Sequence, residues 1–396
     1  MTGTPESSRP APLGDRPTTR TELVIWLALI VALVGLLQAG TPPRVTVLSL
    51  IVVAVTLALS LRWRVGWVAV LVLLVVGVAL RLAGGSGFSD VLTVTEAAIR
   101  DMLAGGNPYG HGYEESFPPG APFAYGPLAL LWYLPRLDAP ATMELLASLL
   151  VLGALAVRGR PLGLAVYAVT PAFVVAATDG SNDTSAGLLI LVALLAAVRW
   201  PIAGAVLLAV ATAFKPYALA WLPGLVAYAG AIGPLLAFIA TTAIAWLPAL
   251  VAWGPDSLVW SFRRADEMHG PAYYSLAYAV GEPNGVPRAA WQAIRVGAGV
   301  LLAVASLMLV RSATSLVIVG TLVFGATLFL GWWSTFAYLA AVAPILCWHL
   351  DDWLGLGRQR VVWPGDPVRS VTGWADSRWP VRHPGRDAID SPRLTG

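Results

Sequence analysis

The stretch that decides the fold is LVIWLALIVALVGLLQA, which runs from Leu23 to Ala39 and contains no charged residue. An apolar run of this length is close to what an α-helix needs to cross the hydrocarbon core of a bilayer. No small-residue cleavage site follows it and a second apolar run comes at once, so no cleaved signal peptide is predicted. Similar runs recur along the chain between short polar breaks. The pattern predicts an all-α, polytopic integral membrane protein with about 12 transmembrane helices.

The composition supports this class. Hydrophobic residues make up 57% of the 396 residues and charged residues only 12%, which is outside the range of soluble globular domains. The net charge of +3 comes from basic residues spread over the termini and short loops, so we expect no nucleic-acid partner. Cys347 is the single cysteine, which excludes an intrachain disulfide and a cysteine zinc cluster.

The apolar runs predict the individual membrane helices. They are expected at 23–40, 46–61, 66–83, 141–157, 162–177, 184–198, 201–214, 216–230, 234–252, 292–310, 313–330 and 335–349. The pair 201–214 and 216–230 is so short that each half barely spans. The segment AYGPLALLWYLPRL is too short and too proline-flanked to cross, and we expect it to form a helix lying in the membrane interface.

Arginines in the polar breaks predict the orientation of these helices. By the positive-inside rule, the breaks that carry them belong in the cytoplasm; they are Arg62, Arg64, Arg158, Arg160, Arg199 and Arg311. We therefore expect a disordered cytoplasmic N-terminus at 1–21, a transmembrane domain at 22–350 and a disordered cytoplasmic tail at 351–396. The large external segments are predicted at 84–140, 178–183 and 253–291.

A charged stretch, FSDVLTVTEAAIRDMLAGGNPYG, opens the first external segment at Phe88. Its apolar residues follow helical spacing, which predicts an amphipathic helix with Asp90 at or near the N-cap. The turn GGNPYG ends that helix. From the residues alone, two interpretations of Asp90 stay open: a helix cap, or a carboxylate with a chemical role.

The order of these motifs resembles a known family. A transmembrane helix, Asp90, an amphipathic helix, AGGNPY and FAYGPLALLWYLP look like the first external loop of GT-C glycosyltransferases. More narrowly, they resemble the polyprenol-phosphate-mannose-dependent mannosyltransferases of glycosyltransferase family 87. GLAVYAVTPAFVVAATDGSNDTSAGLLIL is similar to the second external motif of GT-C enzymes, including oligosaccharyltransferase catalytic subunits, and ATAFKPYALAWLPGL is similar to the Lys-Pro segment of family 87. The resemblance covers about Phe88 to Pro223.

This resemblance implies a GT-C-like fold and a membrane glycosyltransferase. It implies transfer of a sugar, mannose in the most similar family, from a polyprenyl-phosphate donor to a hydroxyl of a lipid or glycan acceptor. The reaction is expected on the external face of a bacterial inner membrane, with both termini cytoplasmic and Asp90 as the catalytic base. The alternative is a transporter or flippase for a lipid-linked or small polar substrate.

Lys215 is the only lysine in the chain and follows an apolar helix. A lone charge in such a place costs about 2.5–3.5 kcal/mol on insertion scales and marks a functional position with an anionic partner. We expect it to bind the donor phosphate. The alternatives are that it snorkels to the interface or pairs with a carboxylate such as Asp179.

The DGSND motif supplies further candidate residues. Asp179, Asn182 and Asp183 are predicted to bind substrate, and Asp179 and Asp183 have an open alternative as ligands, with Asp90, of a divalent cation. A second alternative for Asp183 is to cap the helix at 184–198.

Two groups of residues in the other external segments complete the candidate site. Arg263, Arg264 and His269 are predicted to bind the donor phosphate, with ordinary surface ion pairs as the alternative. Aromatic and amide side chains are candidates for substrate binding, with an interfacial aromatic belt as the alternative for the aromatic ones; they are Asn107, Tyr109, Tyr125, Trp332 and Trp333.

Overall fold

The computed structural model describes residues 19–38, 42–63, 66–84, 89–271 and 274–354. Helices dominate this part of the chain, in agreement with the predicted all-α class. The α-helices are α1 Thr19–Gln38, α2 Pro43–Trp63, α3 Gly66–Leu82, α4 Val91–Leu103, α5 Pro127–Tyr133, α6 Ala141–Arg158, α7 Pro161–Val169, α8 Pro171–Val175, α9 Asp183–Arg199, α10 Pro201–Phe214, α11 Leu222–Ala229, α12 Gly233–Trp253, α13 Pro255–Met268, α14 Arg288–Leu309, α15 Ala313–Phe329 and α16 Tyr338–Trp353.

Several of these helices are built for a lipid environment. In the described residues, α6, α12 and α14 are each long and apolar enough to cross a membrane, and shorter apolar helices surround them. The outward surfaces of α12 and α14 are apolar: Val251 is 78% exposed and Met308 72% exposed. Such surfaces are unfavourable in water and favourable in lipid. The apolar helices therefore indicate a membrane protein.

Two predicted helices are interrupted at prolines. The run at 162–177 forms α7 and α8, which are separated at Pro171. Proline has no N–H, so the carbonyl of Tyr167 loses its helical donor. The guanidinium of Arg81, which is only 1% exposed, replaces that donor with a hydrogen bond of 2.8 Å to the Tyr167 oxygen. The run at 216–230 likewise begins as a 3₁₀ helix, Pro216–Trp221, and continues as α11.

The terminal helices extend slightly past the predicted limits of the transmembrane domain at residues 22 and 350. Helix α1 begins at Thr19 and α16 ends at Trp353. The remaining parts of the two predicted disordered segments, 1–18 and 355–396, lie outside the described residues.

Asp351 explains why α16 extends into the predicted tail. Its side chain is 2% exposed and accepts hydrogen bonds from the backbone N–H groups of Leu162 and Gly163, at 3.2 and 2.8 Å. These amides belong to the first turn of α7 and have no partner within that helix. The neighbouring Asp352 forms an ion pair of 2.6 Å with Arg158 at the end of α6. The end of α16 is therefore fixed to two other helices.

The predicted external segments contain more secondary structure than the sequence indicated. The expected interfacial segment forms α5, followed by the 3₁₀ turn Leu134–Arg136. Between α4 and α5, a short antiparallel ladder pairs β1 Gly112–Tyr113 with β2 Ala121–Pro122. The segment 253–291 contains α13 and a π-helical turn at Ala277–Gly281.

These segments meet at one end of the helix bundle, which we call the loop-rich end. The N–H of Ser89 donates to the Asp179 carbonyl oxygen at 2.8 Å, which joins the segments 89–140 and 178–183. The side-chain amide of Asn107 donates to the hydroxyl of Ser257 at 3.0 Å, which attaches α13 to the first segment. The ion pair between Arg158 and α16 marks the opposite end.

Candidate functional site

Asp90 lies beside the DGSND motif at the loop-rich end. The N–H groups of Ser89 and Leu92 donate to the carbonyl oxygens of Asp179 and Gly180, at 2.8 and 2.9 Å. One of these donors precedes Asp90 and the other follows it, so the backbone on both sides of Asp90 is held against residues 179–180. Two parts of the chain that are far apart in sequence thus form one structural unit.

The side chain of Asp90 does not cap α4. It makes no hydrogen bond to the first turn of that helix; instead, its Oδ2 accepts from the backbone N–H of Phe117 at 2.7 Å. The capping interpretation of Asp90 is therefore wrong. The loop between the two short strands orients this carboxylate, which is half-buried.

Gly180 permits the close approach of the two segments. Its φ is +86°, in the region that L side chains rarely adopt, and a Cβ built on it lies 2.3 Å from the carbonyl oxygen of Ser89. A side chain at this position cannot coexist with the backbone pairing. The glycine of DGSND is required by the geometry around Asp90.

Asp179 is engaged within its own turn. Its Oδ1 accepts from the N–H of Ser181 at 2.8 Å, and the side chain is buried. Burial raises the pKa of this carboxyl, although its hydrogen bond to Ser181 acts in the opposite direction. Asp179 therefore shapes the motif through its backbone and its turn.

The next residues of the motif hold Lys215. Its Nζ donates to Asn182 Oδ1 at 2.6 Å and to Asp183 Oδ1 at 2.8 Å, and the hydroxyl of Tyr217 donates to the same Asp183 oxygen at 2.6 Å. The Lys215 and Asp183 side chains are 9% and 4% exposed. Pairing of Lys215 with a carboxylate is thus the arrangement observed, with Asp183 in place of Asp179. The prediction that Asp183 caps α9 is wrong.

Three tyrosine rings surround the same ammonium. The centroids of Tyr125, Tyr217 and Tyr338 lie 5.5, 5.0 and 5.6 Å from Lys215 Nζ. Aromatic faces attract a cation at this range. We call this group the lysine cradle; its members are Asn182, Asp183, Lys215, Tyr125, Tyr217 and Tyr338. The sequence missed Tyr217 and Tyr338, because their spacing from the other members carries no local signal.

Tyr125 is the member of the lysine cradle that comes from the predicted external segment 84–140. Burial raises the pKa of its phenol, and the charges of Tyr338, Asp183 and Asp90 raise it further. The link between Asp90 and the cradle that the backbone shows is the motif itself: residues 179 and 180 accept from the amides beside Asp90, and residues 182 and 183 accept from Lys215.

Buried polar atoms of the motif lack partners. In the described part of the chain, Asn182 Nδ2 and Ser181 Oγ are buried and have no hydrogen-bond partner. An ammonium has three donors, and two hydrogen bonds from Lys215 are present. The site therefore keeps donor groups that suit an oxygen-rich ligand.

Glu144 is a buried acid that the sequence analysis did not identify as part of the site. It is 1% exposed, in the first turn of α6. Its Oε1 accepts from the hydroxyl of Tyr133 at 2.5 Å and from the hydroxyl of Ser185, while Oε2 accepts from the Ser185 N–H at 2.9 Å. The charge pattern offered a signal, since an acid in an apolar helix is a functional candidate by default.

An apolar pocket of about 200 Å³ is bounded by α5, α9 and α10. The indole N–H of Trp132, one of its walls, donates to the Ser185 hydroxyl at 3.0 Å. The lining residues are Leu128, Leu131, Trp132, Leu189, Val210 and Phe214.

The predicted phosphate-binding residues of α13 form a separate group. Arg263 pairs with Glu267 one turn away at 2.7 Å, on an exposed surface, and Arg264 is also exposed. The Nδ1 of His269 lies 2.8 Å from the carbonyl oxygen of Ala265. Among the contacts of the described residues, none joins these three side chains to the lysine cradle. The surface-pair alternative describes Arg263.

The predicted tryptophans lie with this second group. The ring of Trp333 is 4.4 Å from the His269 ring, centroid to centroid, and is partly exposed. The Trp332 ring lies 5.6 Å from the guanidinium carbon of Arg288. Both tryptophans therefore pack against cationic or imidazole groups near α13, outside the lysine cradle.

Asn107 and Tyr109 have structural roles in the first loop. Asn107 contacts Ser257 of α13, and its Oδ1 accepts from the Tyr109 N–H at 2.9 Å. Tyr109 is 1% exposed, and its hydroxyl donates a hydrogen bond of 3.0 Å to the Tyr125 carbonyl oxygen. The polar atom of Tyr109 is thus engaged inside the protein, and its role in substrate binding stays a prediction.

The donor set does not fit a divalent cation. In the residues that the structure describes, no group of three or more histidine, cysteine, aspartate or glutamate side chains is close enough to hold a metal ion. Asp183, one of the predicted ligands, is instead occupied by an ammonium and a phenol. Divalent cations need several oxygen ligands at short range.

No family model, no curated protein and no solved structure matches this chain. A function for it is therefore argued from the geometry of the site and from the order of its motifs.

Proposed function

We propose that this protein is a polyprenyl-phosphate-sugar-dependent glycosyltransferase of the GT-C type, which transfers mannose to a hydroxyl of a lipid or glycan acceptor. One observation carries the proposal. The segment 179–183 binds the backbone around Asp90 at its first residues and the ammonium of Lys215 at its last ones. A candidate base and a candidate anion-binding group are thereby held on the two sides of five consecutive residues.

The membrane placement follows from the positive-inside rule. With the arginine-bearing breaks in the cytoplasm, the apolar helices form about 12 spans of a bacterial inner membrane, and both termini are cytoplasmic. The loop-rich end then faces the exterior. Nucleotide sugars are kept in the cytoplasm, so a site at this end needs a donor that is carried on lipid.

The apolar pocket suits such a donor. Its walls come from α5, which lies where an interfacial helix is expected, and from the apolar helices α9 and α10. It offers hydrocarbon surface for an isoprenoid chain beside the polar site. Trp132 of the pocket wall donates to the Ser185 hydroxyl, which in turn donates to Glu144.

The chemistry assigns a role to each charged group. Phe117 occupies Oδ2 of Asp90, and Oδ1 has no partner among the described residues, so Oδ1 is the atom that takes the proton of the acceptor hydroxyl. The acceptor oxygen forms a bond to the anomeric carbon while the bond from that carbon to the phosphate oxygen breaks. The phosphate leaves with the electron pair, and the free N–H of Lys215 stabilises its charge.

The test is an assay of sugar transfer from radiolabelled polyprenyl-phosphate mannose. Asp90→Asn keeps an acceptor oxygen for the Phe117 N–H and removes the base, so transfer is expected to fall by about 10²–10⁴-fold. Glu114→Gln is the matched control, because Glu114 is exposed in the same loop. Its transfer rate is expected to equal that of the wild type.

Two outcomes contradict the proposal. Equal transfer by the wild type and Asp90→Asn removes Asp90 as the base. Movement of the labelled lipid across vesicles by the purified protein, with no glycosidic bond formed under any tested acceptor, replaces the transferase with a flippase.

A further inference from the structure

The N-terminus of α9 is capped in an unusual way. Asn182 and Asp183 are favoured capping residues, and they stand where α9 begins. Neither caps it: Asn182 makes no side-chain hydrogen bond to the first turn, and both side chains are directed to Lys215. The N–H of Ser185, which has no acceptor within α9, donates instead to Oε2 of Glu144 in α6 at 2.9 Å.

Glu144 is well suited to act as a cap from another helix. A carboxylate is stabilised by the partial positive charge at a helix N-terminus. The same carboxylate accepts hydrogen bonds from the hydroxyls of Tyr133 and Ser185, in addition to the bond from the Ser185 N–H, so both of its oxygens are hydrogen-bonded. Among the described residues, no cationic side chain lies within ion-pair distance of it. A buried charge needs this full set of donors.

We infer that Glu144 is a positioning residue for the lysine cradle. By supplying the acceptor at the start of α9, it leaves Asn182 and Asp183 free to bind Lys215. Without Glu144, the unsatisfied amides of α9 compete with Lys215 for these two side chains. Loss of Glu144 therefore opens the cradle without removing any of its members.

The inference rests on the proposed function only for the identity of the ligand that the cradle receives. Its physical content, the closure of Asn182 and Asp183 around Lys215, is independent of sugar transfer. The experiment can therefore be made without a substrate.

The single lysine makes the test specific. An amine-reactive acetylating reagent modifies Lys215 and the α-amino group only, so the α-amino group is an internal reference. In the wild type, Lys215 is buried and hydrogen-bonded, and slow labelling is expected. In Glu144→Ala, the labelling rate of Lys215 relative to the α-amino group is expected to rise by about tenfold, as local opening becomes easier. Glu144→Gln keeps one acceptor for the Ser185 N–H, and an intermediate rate is expected.

Ser148→Ala is the matched control. Ser148 is buried one turn further along α6 and accepts a hydrogen bond from Arg81, away from the cradle. Its loss perturbs the same helix, and Lys215 labelling is expected to stay at the wild-type rate. An equal rise in Ser148→Ala shows general loosening and overturns the inference.

The outcomes separate this inference from the proposed function. Unchanged labelling in a folded Glu144→Ala or Glu144→Gln variant overturns the positioning role, even if the wild type transfers sugar. Increased labelling with no transferase activity in the wild type supports the positioning role and removes the proposed function. If Glu144→Ala does not fold, the labelling rate of Glu144→Gln decides.

Discussion

Breaking the ion pair of the lysine cradle gives the sharpest stability prediction. Asp183→Asn keeps the shape of the side chain but leaves the Lys215 ammonium without a carboxylate, at a place where the two side chains are 9% and 4% exposed. Removing one partner of a buried pair costs about 3–5 kcal/mol, because the other charge stays buried and uncompensated. The free energy of unfolding is expected to fall by that amount.

The reverse change tests the same reasoning from the other side. Lys215→Met leaves the Asp183 side chain with the hydroxyl of Tyr217 as its one donor among the residues that the structure describes, and a similar loss is expected. In the double variant no charge remains, so its loss is expected to be smaller than the sum of the single losses by about 1–3 kcal/mol. The free energies are measured by titrating the purified protein in mixed micelles with a denaturing detergent and following its helical circular dichroism.

An exposed pair in the same protein provides the control. Arg263 and Glu267 are joined at 2.7 Å, almost the distance of the Lys215 to Asp183 pair at 2.8 Å, but their side chains are 79% and 45% exposed. Water screens such a pair, so Glu267→Gln is expected to leave the unfolding free energy unchanged within error. Equal effects of Asp183→Asn and Glu267→Gln refute the argument that burial makes the cradle pair sensitive.

Two further predictions concern the DGSND motif. Gly180→Ala places a Cβ 2.3 Å from the Ser89 carbonyl oxygen at a φ of +86°, whereas Gly105→Ala has a similar φ of +84° in open space. Thermal unfolding is therefore expected at a clearly lower temperature for Gly180→Ala than for Gly105→Ala. Equal unfolding temperatures of the two variants contradict the close approach. Burial raises the pKa of Asp179, so the folded state binds its proton more tightly than the unfolded state does. The resulting contribution to the free energy of unfolding is fully present below the unfolded pKa and is lost as the pH rises through the folded pKa. Asp179→Asn keeps an acceptor for the Ser181 N–H and is expected to flatten the fall in unfolding free energy across that acidic window, measured by detergent titration at a series of pH values; an unchanged slope contradicts the burial argument.

Helix positions were largely predictable because hydrophobicity is a local property. Runs such as 184–198 and 201–214 correspond closely to α9 and α10. The sequence predicts one helix over 162–177, although the proline at 171 is a visible signal for a break. Membrane helices often tolerate proline, so the residue alone does not predict the break; in the structure, Arg81 donates to the Tyr167 carbonyl oxygen that Pro171 leaves without its helical donor.

The end of α16 is likewise set by a contact between distant parts of the chain. Charge and proline content after residue 350 predict disorder from Asp351 onward. Its carboxylate is instead buried against the first turn of α7. The partner amides lie far away in sequence, so composition alone could not reveal this contact.

The sequence by itself determined the class of this protein, through its apolar runs. It also indicated the residues that can take part in chemistry: the lone Lys215 and the acids around Asp90 and DGSND. Only the tertiary structure decided which partner each polar group takes. Asp183 stands where a cap is expected and carries the right side chain for it, yet Glu144 from another helix occupies the cap and Asp183 binds Lys215. The partners lie on α6, α9 and the segment after α10, so the choice depends on which helices pack together.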